Sequence, residues 1–319
     1  MNIYKRKNYL DTIAGILIIH MILGHIFQWS RLTYCYFYKI QTIIFYFFMP
    51  WFFFKSGMLH NSERKPSEVL YNCIRKILKP CILPIILGIL IYWLNLIHDG
   101  DFDIIHYIMT PLKKLFLQGE IIGNNPLWFI VALFIIKIMF ALYLEIKSVY
   151  NKISCIVIII VLIFLRNYIP SLLINNIALG FIFYSLAFYI KKIQNNKIII
   201  VSSLFLYLFC MLNHQIVDFH TNKIIEGNYF GWILCSIAGI IIINYIFMHF
   251  YNQTNNILSI IGKQSMTLFS YHWLIIYLVN TLLQIIYNEI MFNNYKLFII
   301  YILSCSLILS VICYFKKKS

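Results

Sequence analysis

An all-α membrane protein, a polytopic bundle of about ten transmembrane helices, is the fold class the sequence predicts, and three observations predict it. The 319 residues are 61% hydrophobic and only 12% charged, whereas soluble domains carry about 25% charged residues. Mean hydropathy is +0.80. The apolar residues also fall into long runs, each near the roughly 20 residues an α-helix needs to cross hydrocarbon. In chain order the runs cover 10–29, 40–59, 81–97, 127–146, 153–169, 172–190, 198–213, 229–250, 266–286 and 297–315. Arg166, Asn167 and Pro170 supply the turn between the fifth and sixth.

The charges orient these spans. The net charge of +15 does not point to nucleic acid, because the lysines and arginines flank the apolar runs as topology determinants do. With the N-terminus in the cytoplasm, seventeen of them fall on the inner side and seven on the outer, while Lys55 and Lys137 lie within spans. That bias favours both termini inside, with Lys316, Lys317 and Lys318 as a cytoplasmic anchor. The N-terminal stretch lacks a small-residue cleavage site and reads as a retained first helix. Residues 1–319 then form a single integral-membrane domain. Its longest non-spanning piece, 98–126, has room for a short amphipathic helix around Ile108 to Phe116. The eight cysteines include no CxxC and lie mostly inside apolar runs, so neither a zinc site nor a disulfide framework is expected.

Ionisable groups inside spans cost about 2.5–3.5 kcal/mol each at mid-helix, so each asks for a reason. The first span holds Asp11, His20 and His25. Asp11 and His25 share a face but stand about 21 Å apart along the axis, too far for a direct hydrogen bond. His20 points roughly 140° away from His25, and packing suits it; His25 is either a packing histidine or a base. His98, His214 and His220 fall at outer loops or span edges, where solvation accounts for them. His272 lies in the ninth span between Tyr271 and Trp273.

In the second span, FFMPWFFFKSGMLH, Pro50 predicts a kink, and Ser56-Gly57 leaves room for close approach of a helix or ligand. Lys55 is placed to snorkel to the interface. Arg75, Lys76 and Lys79 precede the third span. They are topology determinants or a cationic pocket for a phosphorylated ligand, and charge alone does not separate the two.

Four blocks, in order, resemble the acyltransferase-3 family of integral-membrane enzymes that O-acylate carbohydrates and related surface molecules. KRKNYLDTIAGILIIHMILGH carries Asp11, Gly15 and His25 at the offsets of the family's first helix. FFMPWFFFKSGML followed by IRKILKPCILP resembles its aromatic-Ser-Gly block and the basic stretch before a proline. NNPLWFIVALF resembles its Leu-Trp-Phe block through Leu127, Trp128 and Phe129, and IGKQSMTLFSYHWLII its late Gly-Lys-x-Ser block through Gly262, Ser265 and His272. Within the family the chain resembles the branch of smaller sugar O-acetyltransferases. One position departs: where many members carry Arg or Lys eleven residues before the histidine, this chain has Ala14. Another cation, such as Lys55 or Arg75, then serves, or the activity is altered.

The resemblance implies transfer of an acyl group, acetyl being the expected one, from acyl-CoA to a hydroxyl of a cell-surface or lipid-linked saccharide, in a multi-pass protein of the cell membrane of prokaryotic type. Acetyl-CoA is a donor substrate rather than a resident cofactor, the lipid bilayer is the other partner, and neither a metal nor nucleic acid is expected. His25, with Asp11, is the catalytic candidate. Arg75, Lys76 and Lys79, with Lys55 and Ser56, are the candidates for holding CoA, and Trp128 and His272 those for the acceptor. The chemistry fits: a hydroxyl attacking a thioester must lose its proton, and an imidazole near neutral pKa does that work. A dry site keeps the ring proton-accepting and excludes competing water. A polysaccharide flippase or transporter and a glycan polymerase are the competing classes. No repeat of paired broken helices supports the first, and the 98–126 loop is poor in the Arg and His a polymerase would need.

Overall fold

A computed structural model describes residues 8–30, 36–146, 151–190, 196–213, 215–218, 220–221, 223–250, 256–287 and 295–318. The chain forms helices α1 (Asn8–Trp29), α2 (Tyr36–Ile44), α3 (Phe48–Met58), α4 (Pro66–Cys73), α5 (Ile82–His98), α6 (Ile104–Lys113), α7 (Trp128–Glu145), α8 (Asn151–Tyr168), α9 (Leu172–Ile190), α10 (Lys197–Leu212), α11 (Tyr229–Phe250), α12 (Ile257–Lys263), α13 (Ser265–Tyr287) and α14 (Tyr295–Lys318). Among the described residues seven helical stretches are long and apolar enough to cross a membrane: α1, the continuous Pro66–His98, α7 with its preceding turn, α9, α11, α13 and α14. α8 and α10 are apolar and shorter. The protein is therefore an all-α polytopic membrane protein.

Three features depart from expectation. The predicted second span is two helices, α2 and α3, separated by a turn at 45–47. Pro50 explains the position of the break: it has no N–H for the carbonyl four residues earlier, and its ring crowds that carbonyl, so the helix interrupts at residue 46 rather than bending at 50. Two cysteines do pair: Cys210 of α10 and Cys235 of α11 form a disulfide across Cα atoms 6.0 Å apart, a spacing within the usual range. Their separation of 25 residues hid the pairing, which needs two helices side by side. Finally, the segment between α10 and α11 holds two short strands, β1 (Ile216–Asp218) and β2 (Lys223–Glu226), hydrogen-bonded to each other. The short helix expected near Ile108 is α6, N-capped by Asp103, whose carboxylate accepts from Ile105 N at 2.9 Å.

The described residues divide into two compact units. The first comprises 1–48, 192–217 and 225–319, with α1 at its centre, packed on α11, α12 and α13. A buried crossing fixes α1 against α12. A Cβ on Gly15 would fall on the Leu258 carbonyl oxygen, and one on Gly262 on the Asp11 carbonyl oxygen. Only glycine allows this approach, in the manner of small-residue crossings of membrane helices. α12 begins at Asn256, whose side chain accepts from Leu258 N at 2.6 Å, an N-cap satisfying an otherwise orphaned donor.

The second unit comprises 49–191 and 218–224. α9 packs between α7 and α8, and α4 packs on α7. The α4–α5 rod is interrupted by a π turn at Ile74–Leu78 and a 3₁₀ turn at Lys79–Cys81. Pro80 removes one helical donor, and the widened turn just before it absorbs the misfit. Along α5, Ile82, Ile86, Leu90, Leu94 and Ile97 are exposed, an apolar stripe suited to lipid rather than to water.

Candidate functional site

In the first unit the late histidine meets the early one. The rings of His25 (α1) and His272 (α13) stack, with centroids 5.2 Å apart and planes 26° from parallel. His272 is fully buried, and its Nδ1 lies 2.8 Å from the Phe269 carbonyl. A carbonyl only accepts, so Nδ1 carries the proton and the neutral ring keeps its lone pair on Nε2. That Nε2 is buried and has no hydrogen-bond partner among the described residues. His25 is partly exposed, and its Nδ1 lies 2.9 Å from the Gln28 side-chain oxygen. The amide holds that ring in the same tautomer, with Nε2 as the proton acceptor.

An aromatic wall adjoins the pair. Trp273 meets His25 edge-on at 5.3 Å, Trp29 meets Trp273 at 5.4 Å, and Tyr277 meets Trp29 at 5.8 Å. All three rings are partly exposed. In the sequence Trp273 stands out only as a neighbour of His272, and Trp29, Tyr277 and Gln28 do not stand out as site residues. The signal was present: Trp29 follows His25 by four residues and Tyr277 follows Trp273 by four, spacings that share a helix face.

The other polar groups of α1 play different parts. Asp11 is buried at the crossing with α12. Because α1 runs unbroken from Asn8 to Trp29, Asp11 stays about 21 Å from His25. His20 is buried among aromatic rings, 5.1 Å from Phe45 and 4.9 Å from Phe48, the packing role its direction implied. Ala14, where the family's cation would stand, is fully buried.

In the second unit the Ser56-Gly57 block packs tightly. A Cβ on Gly57 would fall on the Tyr184 carbonyl oxygen of α9. Ser56 Oγ accepts from Lys137 Nζ of α7 at 3.1 Å. Lys137 was legible only as a charge inside a span; its serine partner lies 81 residues away. Lys55 spreads over the Trp51 ring at 5.5 Å, a cation–π contact one turn back along the helix. Arg75, Lys76 and Lys79 are exposed, the first two within the π turn.

Trp128, expected as an acceptor platform, is only 6% exposed. The His220 ring lies on it, 4.9 Å away and within 18° of parallel. His220 Nε2 bonds the Glu120 carboxylate at 2.6 Å, and Lys114 Nζ stands 3.6 Å from the other oxygen. Burial works to raise the Glu120 carboxyl, but the hydrogen bond and charge of His220 and the nearby Lys114 outweigh it. They hold the carboxyl below the usual glutamate range. Asp218 fixes the turn that presents the imidazole, accepting from His220 N at 3.1 Å and from the Thr221 hydroxyl at 2.6 Å. Solvation therefore does not account for His220, as its loop position had implied. Among the described residues no group of three or more His, Cys, Asp or Glu is arranged to hold a metal.

Residues 7–315 match the family model described as an acyltransferase domain, Acyl_transf_3. No curated protein and no solved structure matches the chain.

Proposed function

The chain belongs to the acyltransferase-3 family, and from that premise we propose that it moves an acetyl group from acetyl-CoA to a hydroxyl of a cell-surface or lipid-linked saccharide at the prokaryotic cell membrane. Acyltransferase activity and a multi-pass membrane setting follow from the family; the donor, the acceptor and the membrane are this proposal's content. The observation that carries it is the stacked His25–His272 pair, in which each ring has its Nδ1–H engaged by a neutral oxygen.

His25, the partly exposed member, is the base. Its Nε2 takes the proton of the acceptor hydroxyl as that oxygen attacks the thioester carbonyl. The C–O bond forms, the C–S bond breaks, and the proton passes to the departing sulfur. General-base assistance of this kind contributes typically 10²–10⁴-fold. His272, fully buried beneath the ring, is a positioning residue. Trp29, Trp273 and Tyr277 give the saccharide its apolar platform, a role that the covered Trp128 is poorly placed to fill. In the second unit Arg75, Lys76 and Lys79 meet the phosphates of CoA from an exposed turn, and Ser56 and Lys55 are the further donor-binding residues.

Incubating membranes with radiolabelled acetyl-CoA and extracting the saccharide tests the reaction. Label is expected in the saccharide with the native chain and absent with His25→Ala at equal membrane content. Equal labelling by that variant would remove the base assignment. Arg75→Ala is expected to raise KM for acetyl-CoA several-fold while kcat changes little, the pattern of lost uniform binding. Trp29→Ala should raise KM for the saccharide and not for the donor.

A further inference from the structure

Lys137 stands in the middle of α7, nine residues beyond Trp128 and eight before Glu145, in a stretch apolar enough to span a membrane. Its ammonium donates to Ser56 Oγ at 3.1 Å and lies 6.0 Å from the Tyr184 ring. Among the described residues no carboxylate pairs with it. The fields of Arg64 and Lys76, both cations, reach Lys137, as does that of the Cys73 thiol. Arg64 and Lys76 are exposed, whereas Lys137 is partly enclosed. α4 and the π turn bearing Lys76 pack directly against α7.

Like charges repel. Glu63 and Glu68 stand near Arg64 in the chain, but no carboxylate among the described residues pairs with Lys137, so an anion that reaches it relieves that repulsion. A single carboxylate brings one charge. A phosphate ester or pyrophosphate brings two or more, with several acceptor oxygens. The donors suit it: Arg64 offers a planar fork and Lys76 and Lys137 point charges. The Ser56 hydroxyl, whose oxygen accepts from Lys137, keeps its own hydrogen to donate.

We propose that Lys137, Ser56, Arg64 and Lys76 form a binding site for a phosphate-bearing anion, with Lys137 as its innermost cation. In identifying that anion with the phosphates of CoA, the inference rests on the donor proposed above. It adds to that reading a cation from mid-span and one from the α3–α4 loop, neither part of the four blocks that resemble the family.

Calorimetric titration of the detergent-purified full-length protein with free CoA, and separately with inorganic pyrophosphate, tests it. Lys137→Met is expected to weaken binding of both about tenfold or more, whereas Lys137→Arg, which keeps the charge, should stay within about threefold of the native protein. The Arg64→Ala/Lys76→Ala double variant changes only exposed positions and should show the same loss, so the test survives if Lys137→Met fails to fold. Native-like affinity in Lys137→Met or in the double variant would overturn the site while leaving the CoA donor intact. Pyrophosphate binding that depends on Lys137, with no binding of CoA by the native protein, would keep the site and remove the donor. If the native protein binds neither, both fall.

Discussion

Two imidazoles, one in each unit, are held in opposite ways. His272 is oriented by a backbone carbonyl at 2.8 Å and stacks on His25, which an amide oxygen holds at 2.9 Å. His220 is oriented by a carboxylate at 2.6 Å, with Lys114 behind it, and stacks on Trp128. Each place tolerates a different kind of partner. Within a span an ion must be balanced or it is expensive, and neutral dipoles fix the tautomer without adding charge. In a loop the charged partner is affordable, and the resulting pair anchors the turn at 218–221 onto Trp128. The His272 ring is thus fixed without added charge, whereas the His220 ring takes a charged partner and covers Trp128.

The largest expected effect tests that division. His25→Ala should lower transfer by about 10²-fold or more, while Glu120→Gln, which weakens the other pair, should lower it far less. Comparable losses in both variants would break the contrast. His272→Ala should cost about tenfold, and the His25→Ala/His272→Ala double variant should be no worse than His25→Ala alone, because residues acting as a unit are non-additive. Multiplying effects would mean that the stacked rings act separately. Stability reads the same contrast from the other side. Glu120→Gln should destabilise by about 1–3 kcal/mol in thermal unfolding, by leaving buried polar atoms poorly paired. Gly262→Ala should cost a similar 1–3 kcal/mol by overpacking the α1–α12 crossing, and transfer should fall with it because that crossing sets the position of α1.

Acid should separate the two pairs with a smaller effect. The folded Glu120 carboxyl is held below the 4.5 of the free side chain. Its contribution to stability is therefore fully present above pH about 4.5 and lost as the pH falls through its folded value. Native protein should lose thermal stability in that acidic window more steeply than Glu120→Gln does. Parallel curves would show that the carboxylate is not the group responsible.

Much of the second site lay beyond sequence reading for a simple reason. Glu120 and His220 are 100 residues apart and Ser56 and Lys137 are 81 apart; no periodicity within either helix or loop announces a partner at such a distance. His25 and His272 are farther apart still, yet each stands in a block that resembles the family, so both were legible as candidates even though their stacking was not. Gly15 and Gly262 were legible in the same way. Their reason, backbone against backbone at one crossing, is a property of the tertiary structure alone. That Trp128 is covered by His220 was equally hidden, because exposure depends on the fold and not on residue type.

By itself the sequence determined the class of molecule. Composition and the length of the apolar runs dictate helices in lipid, because only a backbone that satisfies its own hydrogen bonds can lie there. Local chemistry placed the proline that interrupts the second apolar run. What the tertiary structure decided was pairing: which histidine stacks on which, which lysine finds a serine rather than an acid, which tryptophan is covered. Those outcomes depend on contacts between helices distant in the chain, where one turn of rotation, about 5.4 Å of rise, separates a partner from a stranger.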